Sequence, residues 1–151
     1  MREILFRGQV IRNDTMWVEG FYVHVPCGRF CCEEHLIQTI NEDGKMGSFF
    51  TCYESTIGQY TGLKDKNGKR IFEGDIIKSH YANVPKADFV EEVVFHNGKF
   101  CAMYQKDKAK MWCPLADGVP HHPGDRTAYM EWCEVIGNIH DNPELLEGGG
   151  V

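Results

Sequence analysis

Short runs of β-branched and aromatic residues, separated by turn-forming pairs, dominate this chain from end to end. Ile4 to Ile11 is a first β-type run, closed by the turn pair Asn13-Asp14. The segment TMWVEGFYVHV that follows is rich in aromatic and β-branched residues and reads as the returning strand. Leu36 to Ile40 and Ser48 to Tyr53 flank NEDGK, where Asp43-Gly44 supplies the positive φ of a tight hairpin. The first 55 residues are therefore predicted to form two β-hairpins joined by a cysteine-rich connection.

The same device recurs downstream. IGQYTGL is a strand interrupted by glycines, and KDKNGKR holds Asn67-Gly68, a strong hairpin signal. RIFEGDIIKSHY resumes as a strand, with Gly74-Asp75 marking a sharp bend before Ile76 and Ile77. VEEVVFHNGKFCAMY repeats the hairpin around Asn97-Gly98, and EWCEVIGNI closes the series. Two segments depart from this pattern. Asp117 to Arg126, DGVPHHPGDR, carries the Gly and Pro content of a loop. The terminal DNPELLEGGGV has a helix start: Asn142 as cap, Pro143 at the first helical position, Glu144 at the positive end of the dipole. The three glycines from Gly148 stop that helix after a turn or two.

Together these signals predict a mainly β, α+β-type protein: N-terminal β-hairpins over residues 1–55, a small SH3-like half-open barrel with a short terminal helix over 56–147, and a flexible tail at 148–151. In this reading the glycines and the aspartate of residues 57–77 are the frame of a fold, because backbone geometry alone accounts for them.

Composition narrows the functional classes. At 151 residues the chain has room for one compact domain or two small ones. No apolar run approaches the roughly 18–20 residues of a membrane helix. Arg2, Glu3, Arg7 and Arg12 interrupt the first apolar residues, so the N-terminus does not read as a secretory signal. Seven cysteines, two of them adjacent at Cys31–Cys32, suit reduced thiols better than a disulfide framework, and the expected location is the cytoplasm. Cys52 and Cys101 lie in apolar runs as small core residues. The formal charge of −6 opposes non-specific binding to nucleic acid as a whole. Two local clusters run against it: Lys64, Lys66, Lys69 and Arg70 in one hairpin, and Lys106, Lys108 and Lys110 in another segment. Each reads either as a solvated turn or as a phosphate-binding patch.

Candidate chemistry is sparse. Cys27, Cys31, Cys32 and His35 in CGRFCCEEH are the ligand types zinc prefers, although C-x3-C-C-x2-H is not a usual knuckle spacing. His121, His122 and Asp125 in HHPGD are a second possible set, but adjacent histidines in an extended loop point apart. There is no phosphate-cradling loop, dinucleotide fingerprint or H-E-x-x-H helix. Glu33-Glu34 and Glu91-Glu92 read as solvated strand or loop ends. Nothing marks a catalytic residue, and no cofactor is called for. The aromatics Tyr60, Phe72, Tyr81, Phe95, Tyr104, Trp112 and Trp132 divide between core filling and surface stacking in a way the sequence does not resolve.

Four blocks carry a family resemblance: MWVEGFYV (Met16 to Val23), IGQYTGLKDKNGKRIFEGDIIK (Ile57 to Lys78), VVFHNGKF (Val93 to Phe100) and EVIGNIHDNPELLE (Glu134 to Glu147). In order, they resemble the blocks of the YopX family of phage and prophage proteins. The opening RGQVIRND, the cysteine-rich segment and the 117–126 loop depart from it. The resemblance implies a β-rich protein from a phage or integrated element, acting in the bacterial cytoplasm, and it carries over no catalytic residue. The expected function is non-enzymatic contact with a second copy or with a host or phage protein, through strand edges and aromatics. The alternatives are a nucleic-acid-binding regulator using the Lys64–Arg70 hairpin and a zinc-binding module or enzyme at Cys27–His35.

Overall fold

The computed structural model describes residues 3–27, 32–82, 87–106, 109–115 and 130–147, with the side chain of Lys106 outside that description. The protein is mainly β, built of antiparallel sheets and one short C-terminal helix. Its strands are β1 (Phe6–Gln9), β2 (Trp17–Val25), β3 (Glu34–Ile40), β4 (Met46–Thr51), β5 (Gly58–Lys64), β6 (Arg70–Phe72), β7 (Asp75–Tyr81), β8 (Asp88–His96), β9 (Lys99–Lys106), β10 (Ala109–Pro114) and β11 (Met130–Asn138). The helix α1 is a single turn, Glu144–Glu147. No helix among the described residues is long and apolar enough to cross a membrane. The chain divides into two compact units, Met1–Tyr60 and Thr61–Val151, with the boundary inside β5.

In the first unit the strand order is β4-β3-β2-β1, followed by the start of β5. The Asp43-Gly44 hairpin forms as expected, with Gly44 at φ +77°. The turn after β1 differs in detail. Arg12, at φ 68°, takes the left-handed position, while Asn13 donates its N–H to the Val10 carbonyl. Asn13 then accepts the Met16 N–H at 2.8 Å, which starts the return into β2. Beyond β4 the chain curls back: Ile11 donates to the Thr51 carbonyl and Tyr53 to that of Gln9. A 3-10 turn at Glu54–Thr56 then leads into β5. Val18, Ile37 and Cys52 form the core of this unit, flanked by Phe6, Tyr22, Phe50 and Ile57. Full burial of a side chain such as Ile37 contributes about 1.5–3 kcal/mol.

In the second unit β5 ends in a hairpin with β6, and the remaining strands make a sheet of order β10-β9-β8-β7-β11. The Asn97-Gly98 turn has both central residues at positive φ, 49° and 79°, which is why the pair stands between the facing residues His96 and Lys99. Gly74, at φ +81°, donates to the Val93 carbonyl and accepts the Ile139 N–H, while Asp75 Oδ2 accepts the Phe72 N–H at 2.8 Å. The Gly-Asp bend is thus a hydrogen-bonded corner between β6 and β7. Ile71, Ile77, Tyr81, Val93, Ala102, Met130 and Cys133 fill the core. Shifts of register between Met130 and Trp132 and between Val135 and Gly137 bend β11. After it, Leu145 donates to the Asn142 carbonyl, and the Asn142 side chain lies against Gly137, where a Cβ would come within 2.6 Å of its Oδ1.

Candidate functional site

The two faces of the β2–β3–β4 sheet carry different chemistry. The register pairs Phe21 with Gln38, Val23 with Leu36, Tyr22 with Ile37, and His24 with His35. On the next strand Gln38 faces Phe49 and Leu36 faces Thr51, and beyond a register shift that restores the face Ile40 faces Met46. Directly opposed residues share a face. One face therefore presents Phe21, Val23, Ile40, Met46 and Phe49, all exposed, with Phe49 at 55% and Met46 at 52%. Among the described residues β4 is the outermost strand of this sheet, and Met46–Phe50 forms its edge. The strand, MGSFFT, contains neither a charge nor a proline.

The other face carries Ile37 into the core and ends in a polar cluster. His24 Nε2 lies 2.5 Å from Glu33 Oε1, and His35 Nε2 lies 4.0 Å from the same oxygen and 3.7 Å from Glu54 Oε2. The two imidazoles stack, with ring centroids 4.9 Å apart. Behind them the Tyr22 hydroxyl is 2.6 Å from His35 Nδ1. Burial, and then the negative charges of Glu54 and Glu33, push the Tyr22 phenol up, so it stays protonated. Among the described residues, one ligand atom each from His24, Glu33 and His35 comes within 4.8 Å of the others.

Of the zinc candidates Cys27, Cys31, Cys32 and His35, His35 joins this cluster at 12% side-chain exposure. Cys27 and Cys32 are exposed and are not part of it, and Cys31 lies outside the described residues. The sequence does not single out His24, and Glu33, expected as a solvated strand or loop end, joins the cluster. The available signal was strand pairing, since two histidines bracketing a connection become cross-strand neighbours only in one register. His121, His122 and Asp125 lie outside the described residues.

The lysine hairpin is more occupied than its composition suggests. Lys66 Nζ lies 2.5 Å from Glu134 Oε2 and 4.4 Å from the centre of the Trp132 ring. The hydrogen bond from Lys66 holds the Glu134 carboxyl below the usual range. The Lys66 N–H donates to the Cys133 carbonyl, tying the turn to β11. Lys64 and Lys69 are exposed and Arg70 is half-buried. In the other cluster Lys110 is exposed, while Lys108 and the Lys106 side chain lie outside the described residues. A cavity of about 290 Å³ beside the hairpin is lined by Leu63, Ile71, Leu115, Met130, Trp132 and Lys66, among others.

The chain is matched over residues 24–147 by the family model described as YopX protein. The chain belongs to the YopX family. The matched span contains three of the four sequence blocks, and Met16 to Val23 precedes it. It also contains His24, Glu33, His35 and all of β4. Among solved structures the chain is similar to protein EF1440 from Enterococcus faecalis, at 25% identity, 97% coverage of this chain, 99% of that one and a TM-score of 0.42. No curated protein matches the chain.

The second unit holds a buried acid that the sequence reading placed in solvent. Glu91 is 3% exposed, and the hydroxyls of Ser79 and Tyr81 donate to it, the latter at 2.9 Å and 3.0 Å from its two oxygens. Burial raises its carboxyl, more than these donors lower it. Glu92, by contrast, is half-buried, and desolvation raises it too. The aromatics divide as well. Tyr60, Phe72 and Tyr81 are core, Phe95 and Trp112 are exposed, and Tyr104 and Trp132 are half-buried.

Proposed function

We propose that this YopX-family chain is a phage or prophage accessory protein of the bacterial cytoplasm. It acts without catalysis, by protein–protein contact, and the partner is a second copy of itself joined across the Met46–Phe50 edge. The observation that carries this reading is a β4 edge strand without charge or proline, beside one register shift in its pairing with β3. Natural sheets blunt free edges with lysine, proline, inward-pointing charges or bulges. The β4 strand has no charge and no proline, and its face carries Phe49 and Met46 into solvent. Antiparallel pairing of one β4 with another about a two-fold axis satisfies both edges with the same residues and makes the two apolar faces continuous.

Sedimentation velocity and light scattering on the full chain at micromolar concentration test this. The wild type is expected to be a dimer, and Phe49→Lys combined with Phe21→Lys a folded monomer by circular dichroism. A wild-type monomer, or a dimer that survives the double substitution, overturns the proposal.

A further inference from the structure

We propose that His24, Glu33 and His35 form a binding site for a divalent transition ion of the zinc class, with Glu54 as a fourth ligand. The site rests on strand register. Because His24 and His35 are directly opposed on β2 and β3, their imidazoles emerge side by side from the same face, and Glu33 stands immediately before β3. Zinc held by nitrogen and oxygen at about 2.0–2.2 Å places its tetrahedral ligand atoms roughly 3.3 Å from one another. The distances from Glu33 Oε1 to the two histidine nitrogens, 2.5 Å and 4.0 Å, and from His35 Nε2 to Glu54 Oε2, 3.7 Å, bracket that value. Small rotations of His24, Glu33 and Glu54, all exposed, bring the set to it.

The half-buried ligand is also oriented. The Tyr22 oxygen lies 2.6 Å from His35 Nδ1, so in the metal-bound tautomer, with the proton on Nδ1, it accepts from that nitrogen and leaves the Nε2 lone pair for the ion. A partner on the non-ligating nitrogen is the usual way a protein sets the tautomer and ring angle of a metal-bound histidine. Two neutral imidazoles and two carboxylates neutralise a dication and match borderline-soft ions; calcium and magnesium prefer all-oxygen shells. The site uses neither Cys27 nor Cys32, and it lies on the opposite face of the sheet from Phe21 and Phe49.

Zinc titration by calorimetry, on full-length protein first stripped with chelator, measures the stoichiometry. Cobalt(II) absorption then reports the ligand type. One equivalent of zinc per chain is expected, with a cobalt spectrum lacking a thiolate charge-transfer band. His24→Gln and Glu33→Gln change exposed side chains and are expected to weaken binding by roughly 100-fold each, with Tyr22→Phe weakening it by roughly 10-fold through loss of ring orientation. Circular dichroism spectra of these variants should match the wild type. Absence of stoichiometric binding, a thiolate band, or undiminished affinity in His24→Gln overturns the proposal. Its readout is independent of the oligomeric state, so either proposal can fail without the other.

Discussion

The Asp65 carboxylate accepts the backbone N–H of Val135 at 3.0 Å, joining the β5–β6 turn to the middle of β11 across 70 positions of sequence. Its other oxygen accepts the N–H groups of Asn67 and Lys69, at 2.8 Å and 2.9 Å, so one buried side chain both shapes the hairpin and fastens it to the sheet. Desolvation alone would raise this carboxyl. The three backbone donors, with the charge of Lys69, reverse that and hold it below the usual range.

Replacing Asp65 by Ala leaves these donors without their acceptor, and the expected loss is about 2–4 kcal/mol of stability in urea unfolding. The wild type should also show an acid dependence that Asp65→Ala lacks. Because its folded pKa is depressed, the contribution of Asp65 is present above the unfolded carboxylate range and is lost as pH falls through the folded value. Equal acid slopes in the two proteins would contradict this assignment.

Glu91 has the opposite sign. Its folded pKa is raised by burial, so its favourable contribution is complete below the unfolded carboxylate value and disappears as pH rises through the folded one. Melting temperature measured between acid and neutral pH should therefore fall with rising pH more steeply in the wild type than in Glu91→Gln. The variant keeps an acceptor for Ser79 and Tyr81 and removes the titration.

Two glycines separate steric from conformational demands. A Cβ on Gly20 would stand 1.9 Å from the Gln38 carbonyl oxygen, so Gly20→Ala must push β2 and β3 apart. The expected cost is about 3 kcal/mol or more. At Gly44 the space is open but φ is +77°, and Gly44→Ala should cost only about 1–2 kcal/mol. Denaturant melts of both variants check the ranking. Gly20→Ala should also weaken the cross-strand His24–His35 pair and with it zinc binding.

The thiols should react in two classes. Burial pushes Cys52 and Cys133 up to about 11 and also raises Cys101, so little thiolate exists there near neutral pH. Brief alkylation of the native protein with peptide mapping should label Cys27 and Cys32, both exposed, well before Cys52, Cys101 and Cys133. Early labelling at Cys133 would mean that the β11 core opens readily.

Much of the strand framework was legible because its signals are local. Asn97-Gly98, Asn67-Gly68, Asp43-Gly44 and Gly74-Asp75 all stand at turns, and Cys52 and Cys101 are buried as their apolar surroundings implied. Charge was read less well. Asp65 sits within a lysine-rich turn that looked solvated, and Glu91 within a pair that looked like a strand end. Each is buried because a distant strand supplies its donors or covers it, and nothing in the neighbouring residues records that.

The sequence by itself determined the turns that hold a glycine, that the chain is mainly β, and which family it belongs to, since left-handed φ, strand propensity and block order are properties of short stretches. Only the tertiary structure decided which side chains meet. His24 faces His35, with Glu33 and Glu54 beside them, and Phe49 stands exposed on the other side of the same sheet, because of one particular register between β2, β3 and β4. A slip of a single residue would exchange the two faces, and no local propensity chooses between those registers. The choice is made by the burial of Val18, Ile37 and Cys52 together, a cooperative packing energy that exists only once the strands are assembled.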